Sequence, residues 1–198
     1  GKYDEALMHF LHAAELVPED AGYWDMIGNA WMELGDLDSA KNALEKSIAL
    51  DPAYPPAQYD LGVVFSREKK TQKEAMKQFT LAISLDEKYP LPYYAVACLY
   101  ALEGKKKEAL ENLRKAVEYG FTNRGHINGD HDLDSLRDDP EFQTIMMKIG
   151  PAKSQSDQSS ADTERPERTA EPKENQKKIL GSGKAYESRD DGWMRYIW

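Results

Sequence analysis

Four stretches of the chain fall into register when their apolar positions are aligned: KYDEALMHFLHAAEL from Lys2, DLDSAKNALEKSIAL from Asp36, TQKEAMKQFTLAISL from Thr71 and KKKEALENLRKAVEY from Lys105. Each has an alanine anchor (Ala6, Ala40, Ala75, Ala109), and these anchors stand 34, 35 and 34 residues apart. A large apolar residue follows four positions later (Phe10, Leu44, Phe79, Leu113) and a small residue seven later (Ala13, Ser47, Ala82, Ala116). Offsets of four, seven and ten, the last at Leu16, Leu50, Leu85 and Tyr119, fall on one side of a helix with 3.6 residues per turn. Small residues on that side let a neighbouring helix approach closely. A second helical pattern precedes each of the last three stretches: Trp24, Ile27, Gly28 and Trp31, then Leu61, Gly62 and Phe65, then Val96, Ala97 and Tyr100. The pattern therefore predicts helical hairpins. Gly35 and Gly104 are placed to end first helices in the left-handed conformation, and Pro52, Pro55 and Pro90 to begin or separate helices.

This distribution of large and small positions resembles the tetratricopeptide repeat (TPR), whose unit is a hairpin of about 34 residues. The resemblance implies an all-α fold, a right-handed α-α superhelix (TPR solenoid). It covers residues 1–119 as a half repeat over 1–20, a second helix only, and full repeats at about 21–54, 55–89 and 90–119. Gln58 and Tyr93 depart from the usual Trp of the unit, one extra residue falls around Lys69 to Thr71, and Glu87 replaces the closing Pro. Because the chain opens halfway through a repeat, a further helix is expected ahead of it in the parent protein.

Residues 120–150 break the period. Asp139-Pro140 reads as a cap and first turn, and Phe142, Ile145, Met146 and Ile149 form an apolar stripe at helical spacing, so a C-terminal capping helix is predicted. Leu133 to Phe142 resembles the closing segment found after TPR arrays in bacterial and some plastid proteins. From Pro151 the chain turns to Ser, Gln, Glu, Lys and Pro, a composition too poor in apolar side chains to offset its chain entropy, so 151–198 is predicted to be a disordered tail. Its end is aromatic again. Trp193, Met194, Tyr196 and Trp198 read as a docking peptide, or as an appended sequence.

Charge narrows the partners. Residues 151–198 carry nine Lys+Arg and nine Asp+Glu of the chain's 26 and 35, so the whole net charge of −9 falls on residues 1–150. An acidic body without a basic stripe repels phosphate backbones, which argues against nucleic acid. No run of apolar residues is long enough to insert in a membrane. One cysteine, Cys98, excludes an internal disulfide and fits a reducing compartment, so location leans toward the cytoplasm. The start, Gly1-Lys2-Tyr3, carries no leader pattern.

Candidate chemistry is thin. Asp130, Asp132, Asp134, Asp138 and Glu141 stand at positions 1, 3, 5, 9 and 12 of a calcium loop, but Ser135 replaces the glycine of the tight turn and Pro140 precedes the last ligand. Helix capping is the favoured reading, with Leu133 and Leu136 as packing residues. His9 and His12 have no third ligand at suitable spacing, and His126 and His131 fall in a turn-rich link where hydrogen bonding is expected. Gly181-Ser182-Gly183-Lys184 lacks both the first glycine and the hydroxyl residue of a phosphate loop. Cys98 lies in an apolar helix with no base in view. No metal, no cofactor and no enzymatic reaction is expected.

The resemblance also assigns a binding face, since the first helix of each TPR hairpin lines the concave groove. The positions it implies are Asp25, Asn29 and Met32 in the first hairpin, Tyr59, Val63 and Arg67 in the second, and Tyr94, Cys98 and Leu102 in the third. The third set suits an apolar side chain, and Asn29 is a candidate to hydrogen-bond a peptide backbone; packing against neighbouring helices or the cap is the competing role for each. One TPR subclass clamps acidic chaperone tails with Lys, Arg and Asn side chains. At those places this chain has Asp25, Asn29, Asp60, Leu91 and Ala95, so no such clamp is expected. The expected function is a non-catalytic scaffold that binds a protein or peptide in the groove. The alternatives are a regulatory or substrate-presenting module of a larger enzyme or secretion assembly, and a scaffold self-associating through its N-terminal half repeat or its tail. In one version Trp193 to Trp198 folds back onto Tyr59, Val63, Tyr94 and Leu102.

Overall fold

A computed structural model describes residues 2–149. Among these residues there are nine α-helices, two short 3-10 segments and no strand. α1 (Lys2–Leu16) stands alone, and three hairpins follow: α2 (Ala21–Leu34) with α3 (Leu37–Leu50), α4 (Pro55–Ser66) with α5 (Gln72–Leu85), and α6 (Pro90–Leu102) with α7 (Lys106–Glu118). A closing segment comprises α8 (Arg124–Gly129), a 3-10 segment (His131–Leu136) and α9 (Pro140–Ile149). The predicted all-α succession of helical hairpins with a C-terminal capping helix is present among the described residues. The aromatic Trp193, Met194, Tyr196 and Trp198, and the disorder expected over 151–198, lie outside the described residues.

The helices start and stop where local chemistry requires it. Asp20 accepts from the Gly22 amide at 2.8 Å, and Asp36 accepts from the amide and hydroxyl of Ser39 at 3.0 and 2.8 Å. α4 and α6 begin instead with Pro55 and Pro90, each preceded by an extended tyrosine, Tyr54 and Tyr89. The turn before each is the same device made twice: Asp51 accepts from the Ala53 amide and Asp86 from the Lys88 amide. Gly35 and Gly104 end α2 and α6 with φ of 82° and 74°, as their places in the sequence predicted. The second hairpin has no such glycine. Its extra residue is absorbed by a 3-10 turn (Lys69–Thr71), where the Thr71 hydroxyl donates to the Phe65 and Glu68 carbonyls.

Inside each hairpin the anchor side of the second helix is sealed by the first. Ala40, Leu44 and Ser47, then Ala75, Phe79 and Ala82, then Ala109, Leu113 and Ala116 are all buried. The crossing is tight enough that a Cβ on Gly28 would lie 2.6 Å from Leu44 Cγ, and one on Gly62 would lie 2.5 Å from Phe79 Cε1. On α1 the equivalent Ala6, Phe10 and Ala13 are only half-buried, although Leu7 and Ala14 pack against Ile27 and Ala30 of α2.

Candidate functional site

The face built from α2, α4 and α6 brings the sequence-derived positions together, and most of them prove to be its floor. Asp25, Met32, Tyr59, Val63, Tyr94 and Cys98 are buried, Asn29 is half-buried, and Arg67 and Leu102 are exposed, Leu102 at 53%. Tyr59 packs edge-on against Tyr89 and tilted against Phe79, so it belongs to the interior of its own repeat.

Between the first two hairpins the floor is polar. Asn29 donates to the Asp60 carboxylate at 2.7 Å and to the Asp25 carbonyl at 3.1 Å. Both hydrogens of its amide are thus committed within the protein, which leaves only the Oδ1 acceptor for the peptide-backbone contact expected of Asn29. Asp25 and Asp60 are 0% and 3% exposed, so they underlie this stretch and do not project into solvent. At the rim, burial raises the Glu33 carboxyl above the usual range, offset by a hydrogen bond from Tyr3 and the nearby Arg67 guanidinium.

Along the third hairpin the face is occupied by the chain itself. The Asp130 carboxylate, 6% exposed, accepts from the Tyr94 hydroxyl at 2.5 Å and from the Cys98 thiol at 3.4 Å. Its other oxygen accepts from the Asp132 amide at 2.9 Å. The Phe121 ring lies 4.3 Å from that of Tyr94, His126 packs against both rings, and Leu133 and Leu136 are fully buried. Burial and the neighbouring Asp130 carboxylate push the Cys98 thiol well above its ordinary value, and Tyr94 is raised likewise, first by burial. These groups stay protonated as donors. The face expected to stay open at Tyr94 and Cys98 is therefore covered, and the surface proposed for tail docking, of which Tyr59, Val63 and Tyr94 are also buried, keeps only Leu102 well exposed.

Sequence reasoning foresaw the capping helix but missed the limb before it. The closing segment has two arms, α8 with the 3-10 segment and then α9, and the first arm meets α6 as α4 meets α2. One signal was available: Leu133 and Leu136 were already read as packing residues, and Phe121 and Ile127 extend that apolar spacing back through the stretch read as a turn-rich link. His126, expected in a hydrogen-bonding turn, sits in the aromatic cluster, where burial lowers its imidazole pKa.

Part of the calcium-like string is taken up by protein groups: Asp130 accepts from Tyr94 and Cys98, Asp134 accepts from Arg137 at 2.7 Å, and Glu141 lies 3.6 Å from the Arg114 guanidinium, while the neighbouring Asp139 caps α9 by accepting from the Glu141 amide at 2.8 Å. Cys98, Asp130 and Asp132 place one ligand atom each within 4.8 Å of one another. A metal there would require the thiolate, which the burial opposes, so the cluster reads as a hydrogen-bonded lock. Among the described residues no helix is long and apolar enough to cross a membrane.

Comparison with known proteins agrees with the architecture. Residues 28–69 match a family model described as TPR repeat, and residues 92–119 match one described as tetratricopeptide repeat. Tetratricopeptide repeat protein 6 of Homo sapiens is 27% identical over 157 residues, which span 74% of this chain and 30% of that protein. Among solved structures, MamA superimposes with a TM-score of 0.55 at 23% identity, over 75% of this chain and 87% of its own. A thermophilic TPR protein of Thermus thermophilus gives 0.58 at 18% identity, over 75% and 89%. YrrB, described as a TPR protein with an unusual peptide-binding site, gives 0.52 at 20% identity, over 76% and 79%.

Proposed function

Because the chain is built of tetratricopeptide repeats, the unit of non-catalytic protein-interaction scaffolds, we propose that it holds a partner segment along the α2–α4 stretch of its first-helix face. The division into an array over 1–119, a cap over 120–150 and a tail over 151–198 is part of that reading. The observation that carries it is the distribution of exposure: the third hairpin is covered at Tyr94 and Cys98 by the closing segment, while Asn29, Glu33 and Arg67 of the first two hairpins retain surface. Glu33 and Arg67 sit at the ends of successive first helices and present opposite charges, which suits a partner segment of mixed charge. With Asp25 and Asp60 beneath, a run of carboxylates is disfavoured there, so an acidic chaperone tail is not the partner this reading expects.

The test is capture from the native source with the full chain, quantified against two variants. The double exchange Glu33→Lys with Arg67→Glu should lose a partner that Lys46→Glu, on the second helix of the first hairpin, keeps. A partner held equally by all three binds elsewhere.

Self-association is a second reading favoured by α1, where Met8 is 65% and Leu11 40% exposed at places the other second helices fill with Asn42 and Glu45, Lys77 and Thr80, and Glu111 and Arg114. Sizing by light scattering separates a monomer from a dimer, and Met8→Lys with Leu11→Glu should abolish the latter.

A further inference from the structure

Tyr94 and Cys98 occupy on α6 the places that Asp25 and Asn29 occupy on α2, yet their surface is filled by residues 121–136 of the same chain. Resting on the reading that the first-helix face is the binding face, we infer that this closing segment is a built-in competitor, seated where a partner segment of defined chemistry binds by displacing it. The seat shows what it accepts. It takes a carboxylate at Asp130, held by a phenol and a thiol, and aliphatic side chains three and six residues later at Leu133 and Leu136, both fully buried. An aliphatic residue three before, Ile127, is buried as well. Ser135 completes the contact, its hydroxyl 3.5 Å from the Ala101 carbonyl at the end of α6.

The competitor is imperfect by its own chemistry. The donors reaching the Asp130 carboxylate are the neutral Tyr94 hydroxyl, Cys98 thiol and Asp132 amide, while Arg137 spends itself on the Asp130 carbonyl at 2.8 Å and on Asp134. A second carboxylate, Asp132, sits beside it with Oδ2 buried and without a hydrogen-bond partner. Two neighbouring carboxylates, one of them deeply buried, make the closed form costlier than the seat alone requires. A segment with a single carboxylate, a neutral residue two places on and aliphatics at three and six keeps every favourable contact and omits the repulsion. That is the partner this seat fits. It differs from an acidic tail, which would bring several charges to a place holding no cation.

The experiment uses labelled 14-residue peptides with the sequence of residues 126–139, HINGDHDLDSLRDD, in three forms: unaltered, with Asp132→Asn, and with Asp130→Asn. Each is titrated by fluorescence anisotropy into the full chain, into the Leu136→Ser chain whose own segment is loosened, and into an Asp130→Cys chain oxidised onto Cys98 to tether the segment shut. The Asp132→Asn peptide should bind the loosened chain about tenfold more tightly than the wild-type chain, and about tenfold more tightly than the Asp130→Asn peptide does. Binding should vanish in the tethered chain and return on reduction. Equal affinity for loosened, wild-type and tethered chains overturns the inference, as does no binding to a loosened chain whose α1–α7 amides stay protected from exchange. If Leu136→Ser fails to fold, the Asp130→Asn chain takes its place, with the same outcomes. Arg67→Glu separates this inference from the proposed function: it leaves peptide affinity unchanged, so loss of the α2–α4 partner and loss of the peptide are independent results.

Discussion

The joint between α2 and α4 and the joint between α6 and the closing segment solve one problem with different materials. In both, a carboxylate on the incoming arm is buried against a donor on the preceding first helix: Asp60 accepts from Asn29 at 2.7 Å, and Asp130 accepts from Cys98 at 3.4 Å with Tyr94 added. The incoming arm is a regular helix in the first case and α8 followed by a 3-10 segment in the second. Between them, the α4–α6 joint offers Val63 and Ala95 at the corresponding places and is apolar. The comparison teaches that a stretch can lose the sequence period and still seat its first arm on the preceding first helix, because the seat needs only a few buried side chains, whether a hydrogen-bonded carboxylate or an apolar pair occupies its centre.

Substitutions can break this parallel unevenly. Leu133→Ala, which empties a fully buried site in the closing segment, should cost about 2–5 kcal/mol. Hydrogen exchange should then rise over 121–149 before it rises in α2–α5; uniform loss across the array would deny the closing segment its separate joint. Tyr94→Phe removes one donor to a buried carboxylate and should cost about 1.5–3 kcal/mol by chemical denaturation. Asn29→Ala removes the amide that donates to Asp60, but Asn29 itself is half-buried, so water reaches the vacated place and the cost should be about 1 kcal/mol, the smaller of the two. If Asn29→Ala proves the larger, the first joint is the tighter lock and the ranking is reversed.

The smallest effect is one of pH. Burial lowers the His126 pKa below 6.5, with Asp130 pulling the other way and the Tyr94 and Phe121 rings against the imidazole. The closed form thus prefers neutral His126, and its stability is full at higher pH and declines as pH falls through the unfolded value near 6.5. Asp132 has the opposite shift, raised from 3.8 by burial and then by Asp130, so its stabilising protonated form belongs to more acidic solution and does not mask the histidine. Exchange of the 121–136 amides, corrected for intrinsic rate, should quicken from about pH 7.5 to 6 in the native chain and not in His126→Gln.

The repeats were legible in sequence because they are written in residue size at a fixed spacing. Ala40, Leu44 and Ser47 announce their burial by recurring at Ala75, Phe79 and Ala82. The glycine caps were legible for the same reason, since Gly35 and Gly104 mark positive φ by identity. The state of the face was not. Whether Tyr94 and Cys98 look outward depends on what packs over them, and Asp130 is 32 residues beyond Cys98 in a stretch with no repeat to align. An aspartate in an acidic string reads as solvated, and only the fold reveals that it is buried. Asn29 likewise advertised a free amide until Asp60, 31 residues on, was brought against it.

The most direct measurement uses the chain's single thiol. Cys98 is 0% exposed and lies under Asp130, so its rate of alkylation reports whether the closing segment sits on α6. In the native full chain the thiol should react only as fast as the segment opens, and Leu133→Ala should speed that reaction while the α2–α5 amides remain protected. A thiol that reacts at once in the native chain, at the rate of an exposed cysteine, would contradict the account.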